Sequence, residues 1–127
     1  MNDVIKLLNS HRSIRKFTDQ EIPHGLLLEL IKAGQAAATS SHVQAYTVIH
    51  VKDPDNREAI AELAGGQGYV ASSAAFLVFC ADMKRPTEAS ARTGANVERG
   101  MTEQLLVATV DTALMAQNVA VAAESEG

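Results

Sequence analysis

The most constraining feature of the sequence is its last long segment, residues 102–124, which has the period of an α-helix but very little polar surface. Gln104, Asp111 and Asn118 recur every seven residues and form a narrow stripe, while Leu, Val, Ala and Met occupy most of the remaining circumference. We predict a helix that is opened by Thr102 as its N-cap and buried on most of its sides. Polar side chains at this density argue against a membrane span. Asp111 is interpreted either as a buried functional carboxylate or as a stripe residue that is paired locally.

The predicted helix is long compared with the chain that must cover it. About 22 residues at a rise of about 1.5 Å give a length of roughly 33 Å. A compact chain of 127 residues has a diameter of about 36 Å, so the helix crosses the whole body. The rest of the chain is too small to shield every side, and we expect further chain or a second subunit to pack there.

The remainder of the sequence predicts short elements within one domain, residues 1–127. The predicted elements are helices over 3–10, 23–37 and 54–64 and strands over 45–51 and 74–80. Asp3 and Asp53 are the predicted N-caps of the first and third helices, and Gly65 ends the third. The second strand is nearly all apolar, which predicts burial on both faces. Residues 82–100 are charged and lack a period, so they are predicted to form a mobile loop.

Composition and charge exclude several classes of function. Eleven Lys and Arg against fifteen Asp and Glu give a net charge of −4, spread along the chain, so neither nucleic acid nor an anionic membrane is expected as the main partner. Cys80 is the only cysteine, which excludes an intrachain disulfide and a cysteine-based metal cage. The histidines lack metal-ligand spacing, and no metal site is predicted. The N-terminus lacks the pattern of a signal peptide, so a cytoplasmic location is expected.

A basic segment, His11–Arg12–Ser13–Ile14–Arg15, follows the first predicted helix. If it is extended, His11, Ser13 and Arg15 share one face and offer several donors to an oxyanion. Arg12 joins them if the backbone bends around a ligand, and two guanidinium groups can neutralise a phosphate. The alternative is a solvated basic loop between two helices, which composition alone favours.

Two further polar segments are candidates for ligand binding. The hydroxyl groups of Thr39, Ser40 and Ser41 lie between a predicted helix and a predicted strand and can bond ribityl oxygens or the polar edge of a ring. Gln67 stands in a glycine-rich stretch and can offer its amide to a heteroatom of a flat ligand. Taken alone, the first segment is better explained by ordinary turn chemistry, and the second by a helix C-cap.

Four stretches taken together, in this order and spacing, resemble the FMN-dependent nitroreductase family. They are HRSIRKFTD, ATSSHVQAY, LAGGQGYVASSAAFLVFCAD and VDTALMAQNVAVAAES. The similarity is greatest to the NADPH-preferring flavin and nitro reductases, and it covers the chain from Val4 to Ser125 apart from a variable loop at 83–99.

The resemblance implies an α+β fold of nitroreductase type, in which helices pack on a mixed sheet. It also implies a homodimer that has FMN at its interface and the long helix at its centre. The implied flavin-binding side chains are the phosphate and ribityl group His11, Arg12, Ser13 and Arg15, the partner-subunit segment Thr39, Ser40 and Ser41, and the isoalloxazine-edge residue Gln67.

The implied activity is a ping-pong transfer of hydride from NAD(P)H via FMN to nitroaromatics, quinones or free flavin, with NADPH as co-substrate. The flavin itself accepts and donates the hydride, so no catalytic side chain is predicted. Members of this branch are nearly twice as long and continue beyond Ser125 into further strands. The sequence is therefore expected to be the N-terminal portion of a nitroreductase-like domain.

Two other functions remain open at this point. The chain could be a truncated, non-catalytic fragment that self-associates through its long apolar helix. It could also be a binding module that uses Arg12 and Arg15 for a phosphorylated ligand without redox chemistry.

Overall fold

The computed structural model of the chain describes residues 2–98 and 100–127. Within them the chain forms six α-helices, one 3-10 turn and two strands. In chain order these are α1 Asp3–Ser10, α2 His24–Gln35, the turn Ser40–His42, β1 Tyr46–His50, α3 Pro54–Leu63, α4 Gly68–Ser72, β2 Leu77–Ala81, α5 Lys84–Arg92 and α6 Thr102–Glu126. All six helices and strands predicted from the sequence, five before the charged segment and one after it, are present, which confirms the α+β class.

The contacts divide the chain into two compact units. The first consists of the chain up to Leu28 together with Ile49–Val78, and the second consists of Glu29–Val48 together with the chain from Phe79 onward. The first unit holds α1, α3 and α4, and the second holds the 3-10 turn, α5 and α6. The expectation of one domain over the whole chain stays a prediction.

The two strands pair with each other and run antiparallel. At one end the Asp82 N–H donates to the Ala45 carbonyl at 3.0 Å, and at the other the Val51 N–H donates to the Phe76 carbonyl at 3.0 Å. The start of β1 therefore lies beside the end of β2. The prediction that β2 is buried on both faces is wrong for the described residues, since its side chains are half-buried or exposed.

The local signals for α3 act as predicted. The Asp53 carboxylate accepts a hydrogen bond from the Asn56 N–H at 2.9 Å, and Pro54 occupies the first turn. Gly65 and Gly66 adopt φ values of 84° and 77°, which side-chain-bearing residues rarely adopt, and they end the helix.

An arginine that the sequence analysis did not single out joins α3 to α4. Arg57 donates from Nε and Nη2 to the Val70 carbonyl at 3.0 and 2.8 Å, and from Nη2 to Ser73 Oγ at 2.8 Å. Its guanidinium group thereby satisfies acceptors at the end of α4, a five-residue helix that is too short for periodicity to predict.

The prediction of a mobile loop over 82–100 is wrong in its first half, where the chain forms α5. The sequence of this helix, KRPTEASAR, contains no large apolar residue, so it carries no apolar stripe from which a period could be recognised. Its start is fixed by Asp82, whose Oδ1 accepts from the Lys84 N–H at 2.7 Å. Arg99 lies outside the described residues.

The predicted N-caps of α1 and α6 are each displaced by one position. The cap of α1 is Asn2, not Asp3, and its Oδ1 accepts from the Val4 N–H at 2.9 Å. The cap of α6 is Met101, not Thr102, and it makes no side-chain capping bond. Both helices nevertheless lie where the sequence predicts them, because a cap sets only the first residue of a helix.

Only one side of α6 is covered by the described chain. Its buried residues are Ala108, Asp111, Met115 and Val119. On the other side Leu105 and Leu106 remain 65% and 60% exposed, and the exposed apolar surface continues to Leu114. The prediction of burial on most sides is therefore not met within this chain, whereas the prediction that the chain alone cannot cover the helix is confirmed.

The covered side of α6 approaches α2 closely at Gly34. A Cβ atom on Gly34 would lie 2.6 Å from Val119 Cγ2 and 2.7 Å from Met115 Cε, so only glycine allows this approach. By length and composition alone, α6 is apolar enough to cross a membrane. The core helix of a soluble protein has the same properties, and the side of α6 that carries Asp111 is packed inside the fold.

Candidate cofactor site

The basic segment lies in an extended, exposed stretch of chain directly after α1. His11, Arg12, Ser13 and Arg15 are all exposed, as expected for groups that must reach a ligand. Arg12 donates from Nη1 to the carbonyl oxygens of Ser10 and His11, at 3.2 and 2.7 Å. Its guanidinium group is thus held along its own chain, and no tertiary contact is needed to place it.

Gln67 lies at the start of α4, where its side chain is engaged by near neighbours. Its Nε2 donates to the Ala64 carbonyl at 2.7 Å, and its Oε1 accepts a hydrogen bond from the Tyr69 hydroxyl. Tyr69 was not among the residues predicted from the sequence. A ligand that uses the Gln67 amide has to share it with these partners or displace them.

The residues from Thr39 to Gln44 form a tight turn, which we call the 39–44 turn. The His42 N–H donates to the Thr39 carbonyl at 3.2 Å, and the Val43 N–H donates to the Ser40 carbonyl at 2.9 Å. The Gln44 N–H donates to Thr39 Oγ1 at 3.3 Å. Thr39 thereby supports the turn with both its backbone and its hydroxyl group, which is the turn role that the sequence left open.

The backbone of the 39–44 turn is strained. Ser41, His42 and Gln44 have φ values of 49°, 55° and 53°, in the left-handed region that residues with a Cβ avoid. No glycine relieves this conformation within the turn. Strain of this kind persists only where surrounding contacts impose it, and it is often found at functional sites.

Asp111 of α6 supplies those contacts. It is 1% exposed, and its Oδ1 and Oδ2 accept hydrogen bonds from the N–H groups of Ser40 and Ala45, at 3.0 and 3.2 Å. These partners are 71 and 66 residues away in the chain. The interpretation of Asp111 as a locally paired stripe residue is therefore wrong.

A second side chain, Arg85 of α5, approaches the same turn. Its Nη2 donates to the Gln44 carbonyl at 2.8 Å, and its guanidinium carbon lies 5.9 Å from the centre of the Tyr46 ring. This distance allows a cation–π contact. Arg85 was not predicted as a site residue, because the sequence does not predict the helix that carries it.

The 39–44 turn borders a hollow of about 340 Å³ on the surface of the second unit. Thr39 and Ser40 line one part, and apolar residues of α6 from Leu106 to Leu114 line most of the rest, with Asp111 between them. The hollow therefore combines hydroxyl groups with an apolar wall, a combination typical of small-molecule sites.

Two titratable groups outside these segments have shifted pKa values. The pKa of Asp82 is lowered, chiefly because its carboxylate accepts a hydrogen bond from the Thr47 hydroxyl at 2.6 Å and another from the Lys84 N–H. The pKa of His50 is lowered by partial burial and by the nearby charges of Lys52 and Arg57. Neither group belongs to the predicted site. Among residues 2–98 and 100–127, no cluster of three or more His, Cys, Asp or Glu side chains could hold a metal ion.

The predicted site residues are divided between the two units. The first unit contains His11, Arg12, Ser13, Arg15 and Gln67, and the second contains Thr39, Ser40 and Ser41. Within the second unit, the structure brings the predicted turn together with Asp111, which no pattern in the sequence connects to it.

Comparisons with known proteins agree with the fold. The chain is 43% identical over 129 residues to the FMN reductase (NADPH) of Bacillus subtilis, covering 100% of this chain and 52% of that protein. It is 42% identical over 127 residues to the NADPH-flavin oxidoreductase of Vibrio harveyi, covering 100% and 51%. The chain thus spans about half the length of the curated relatives it matches.

Solved structures give the same result. The NfrA1 nitroreductase from B. subtilis superposes with a TM-score of 0.91 at 43% identity, over 98% of this chain and 51% of that one. The NADPH:FMN oxidoreductase from V. harveyi, complexed with NAD+, gives a TM-score of 0.91 at 41% identity, over 99% and 53%. The model of the family described as "Nitroreductase family" matches residues 8–127. Since that match covers nearly the whole chain, the protein belongs to the nitroreductase family.

Proposed function

We propose that the chain is the N-terminal portion of an FMN-dependent oxidoreductase that transfers hydride from NAD(P)H to nitroaromatics, quinones or free flavin. The observation that carries the proposal is the match of the whole chain, in sequence and in fold, to proteins named as an FMN reductase (NADPH), an NADPH-flavin oxidoreductase and a nitroreductase. A ping-pong order, NADPH as the reductant and a cytoplasmic location are parts of the same proposal.

The donors of the first unit fit the phosphate end of FMN. His11, Ser13 and Arg15 are exposed on an extended segment, where alternate side chains share one face and offer donors to a phosphate. Arg12 is exposed as well, and its guanidinium group adds a second positive charge if the chain bends around the ligand. Gln67 has an amide of the kind that bonds the polar edge of an isoalloxazine. We assign these five residues to cofactor binding.

The 39–44 turn fits the less charged part of the cofactor. Thr39 and Ser40 border a hollow with an apolar wall, and Ser41 follows them. Hydroxyl groups suit ribityl oxygens, and apolar side chains suit the faces of a ring. When bound, FMN supplies the hydride chemistry, and these residues bind and orient it. We therefore assign Thr39, Ser40 and Ser41 to cofactor binding as well.

The proposed assembly is a homodimer that buries the exposed side of α6. Leu105, Leu106, Val110 and Leu114 form a continuous apolar strip that this chain leaves in water. A strip of this kind marks an interaction surface. Self-association through it is also the basis of a second candidate function, a non-catalytic fragment that persists as an oligomer.

A flavin titration tests the proposed activity at its first step. We expect the chain to quench FMN fluorescence with weak affinity, because it contains only part of the length of its relatives. Arg15→Ala should weaken binding by about tenfold, as expected for the loss of a charge-assisted hydrogen bond. Lys52→Ala, which removes an equal charge from another exposed position, is the control. Equal losses in the two variants would remove Arg15 from the site.

Sedimentation separates the two candidate functions. Leu105→Glu places a charge on the exposed strip of α6 at a leucine that does not line the hollow, and it should convert a dimer to a monomer. Leu63→Glu makes the same change at an isolated leucine that is 88% exposed on α3, and it should leave the dimer intact. A dimer that neither binds FMN nor turns over NADPH would support the non-catalytic fragment instead.

A further inference from the structure

The 39–44 turn is held at both ends by one side chain. Asp111 accepts from Ser40, near the start of the turn, and from Ala45, just after it. We propose that Asp111 is a positioning residue that holds this turn in the conformation needed to contact the cofactor. The inference rests on the proposed function, because it takes Thr39, Ser40 and Ser41 as ligand-binding residues.

The chemistry of the carboxylate suits this role. An ionised carboxylate only accepts hydrogen bonds, and its two oxygens can each take one backbone N–H. Ala45 is 0% exposed, so its N–H has no access to water and depends on Asp111 for an acceptor. The spacing of the two oxygens then fixes the separation of the Ser40 and Ala45 nitrogens.

The conformation between these nitrogens needs such a constraint. Three residues of the turn have positive φ without being glycine, namely Ser41, His42 and Gln44. Free chains with Cβ atoms avoid this region, so the turn would relax if its ends were released. Arg85 adds one bond, to the Gln44 carbonyl, but it is exposed and holds only that side.

The position of Asp111 connects this constraint to the ligand. Asp111, Thr39 and Ser40 border the same hollow of about 340 Å³. Asp111 itself is almost completely buried, so it acts through the backbone of Ser40 and not by offering its carboxylate to the cofactor. It is therefore a positioning residue and not a catalytic one.

Amide hydrogen exchange in Asp111→Asn tests the hold on the turn. Asparagine has the same shape but only one acceptor oxygen, so one of the two N–H groups faces an NH₂ group instead. We expect the protection of Ser40 and Ala45 to fall by about tenfold. Asn118→Ala is the matched control, since it removes a bond from α6 to the Ala33 carbonyl of α2 and does not touch the turn.

A rescue experiment separates positioning from general stability. Glycine adopts positive φ without steric cost, so His42→Gly should restore the protection lost in Asp111→Asn. Val43→Gly is the control, because Val43 has a φ of −69° and glycine gives no relief there. Rescue by both glycines or by neither would overturn the proposal.

FMN affinity of the same variants completes the test. We expect Asp111→Asn to weaken FMN binding about tenfold, His42→Gly to restore it, and Asn118→Ala to leave it unchanged. The proposed role of Asp111 would be overturned if exchange at Ser40 and Ala45 were unchanged, or if the loosened turn bound FMN as tightly as before. Neither result would contradict the proposed function. A wild-type chain that binds no FMN would instead overturn the proposed function, and the exchange data would still decide whether Asp111 holds the turn.

Discussion

The basic segment 11–15 and the 39–44 turn are both assigned to cofactor binding, but they are built in opposite ways. In the basic segment, Arg12 bonds the carbonyl oxygens of the two residues before it, and every assigned side chain is exposed. The 39–44 turn is strained, and a buried carboxylate from a distant helix fixes it. One segment is shaped by its own sequence, whereas the other is shaped by the helix that packs against it.

This difference has a consequence for mutation. A segment with local contacts can lose a side chain at the cost of ligand affinity alone. A segment held by a distant buried group loses conformation and stability together when that group is removed. Four substitutions test the contrast.

The largest effect is expected for Asp111→Ala. It leaves the buried Ala45 N–H without an acceptor and frees the Ser40 N–H, so the free energy of unfolding should fall by about 3 kcal/mol. Urea unfolding followed by circular dichroism measures this change. Asn118→Ala, which removes one exposed hydrogen bond to the Ala33 carbonyl, should cost less than about 1 kcal/mol. If the two variants were equally stable, the 39–44 turn would not depend on Asp111.

The second-largest loss of stability is expected for Gly34→Ala, because α2 leads into the 39–44 turn and packs against α6 at this residue. The added methyl group overlaps Val119 and the buried Met115 and should cost about 2 kcal/mol. Gly25→Ala, in the same helix, meets no atom within 4 Å and should stabilise the protein by about 0.5 kcal/mol or more. Opposite signs in thermal or urea unfolding would confirm that α2 approaches α6 this closely.

Asp82 combines the two kinds of contact, and its effect on stability should be intermediate. It accepts one hydrogen bond from Lys84, a near neighbour in the chain, and one from Thr47, which is distant in the chain. Its pKa is lower in the folded protein than the ordinary value of 3.8. Its contribution to stability is therefore complete above that pH and is lost as the pH falls through the folded pKa. Asp82→Asn should make acid unfolding less steep below pH 3.8, and Thr47→Val should do so to a smaller extent. If the free energy of unfolding fell equally with pH in Asp82→Asn and in the wild type below pH 3.8, this assignment would be contradicted.

The smallest effect on stability is expected for Arg12→Ala. Its side chain is exposed and bonds only neighbouring carbonyl groups, so unfolding should change by no more than about 0.5 kcal/mol. FMN affinity should fall in the same variant, by about tenfold. A stability loss as large as that of Asp111→Ala would show that the basic segment also depends on tertiary contacts.

The successful sequence predictions depended on local signals. Asp53, Pro54 and Gly65 set the limits of α3 through capping and backbone freedom, and the structure confirms them. The apolar period predicted α6, and the four motifs identified the family. Each of these signals acts within a few residues or along one face of a helix.

The failures have an equally specific origin. Helix α5 was missed because its sequence has no large apolar residue and so no apolar stripe, and α4 was missed because it is only five residues long. Asp111 was left open because its partners are 66 and 71 residues away, a distance at which no pattern in the chain predicts contact.

The sequence by itself determined the family, the α+β class, the helix too apolar for this chain to cover, and the exposed basic segment. The tertiary structure alone decided which side of α6 is covered, that Asp111 meets Ser40 and Ala45, and that the turn between them is left-handed. The physical reason is the range of the forces involved. Capping, periodicity and backbone preference act between near neighbours, whereas the burial of a carboxylate and the strain of a turn depend on how distant elements pack.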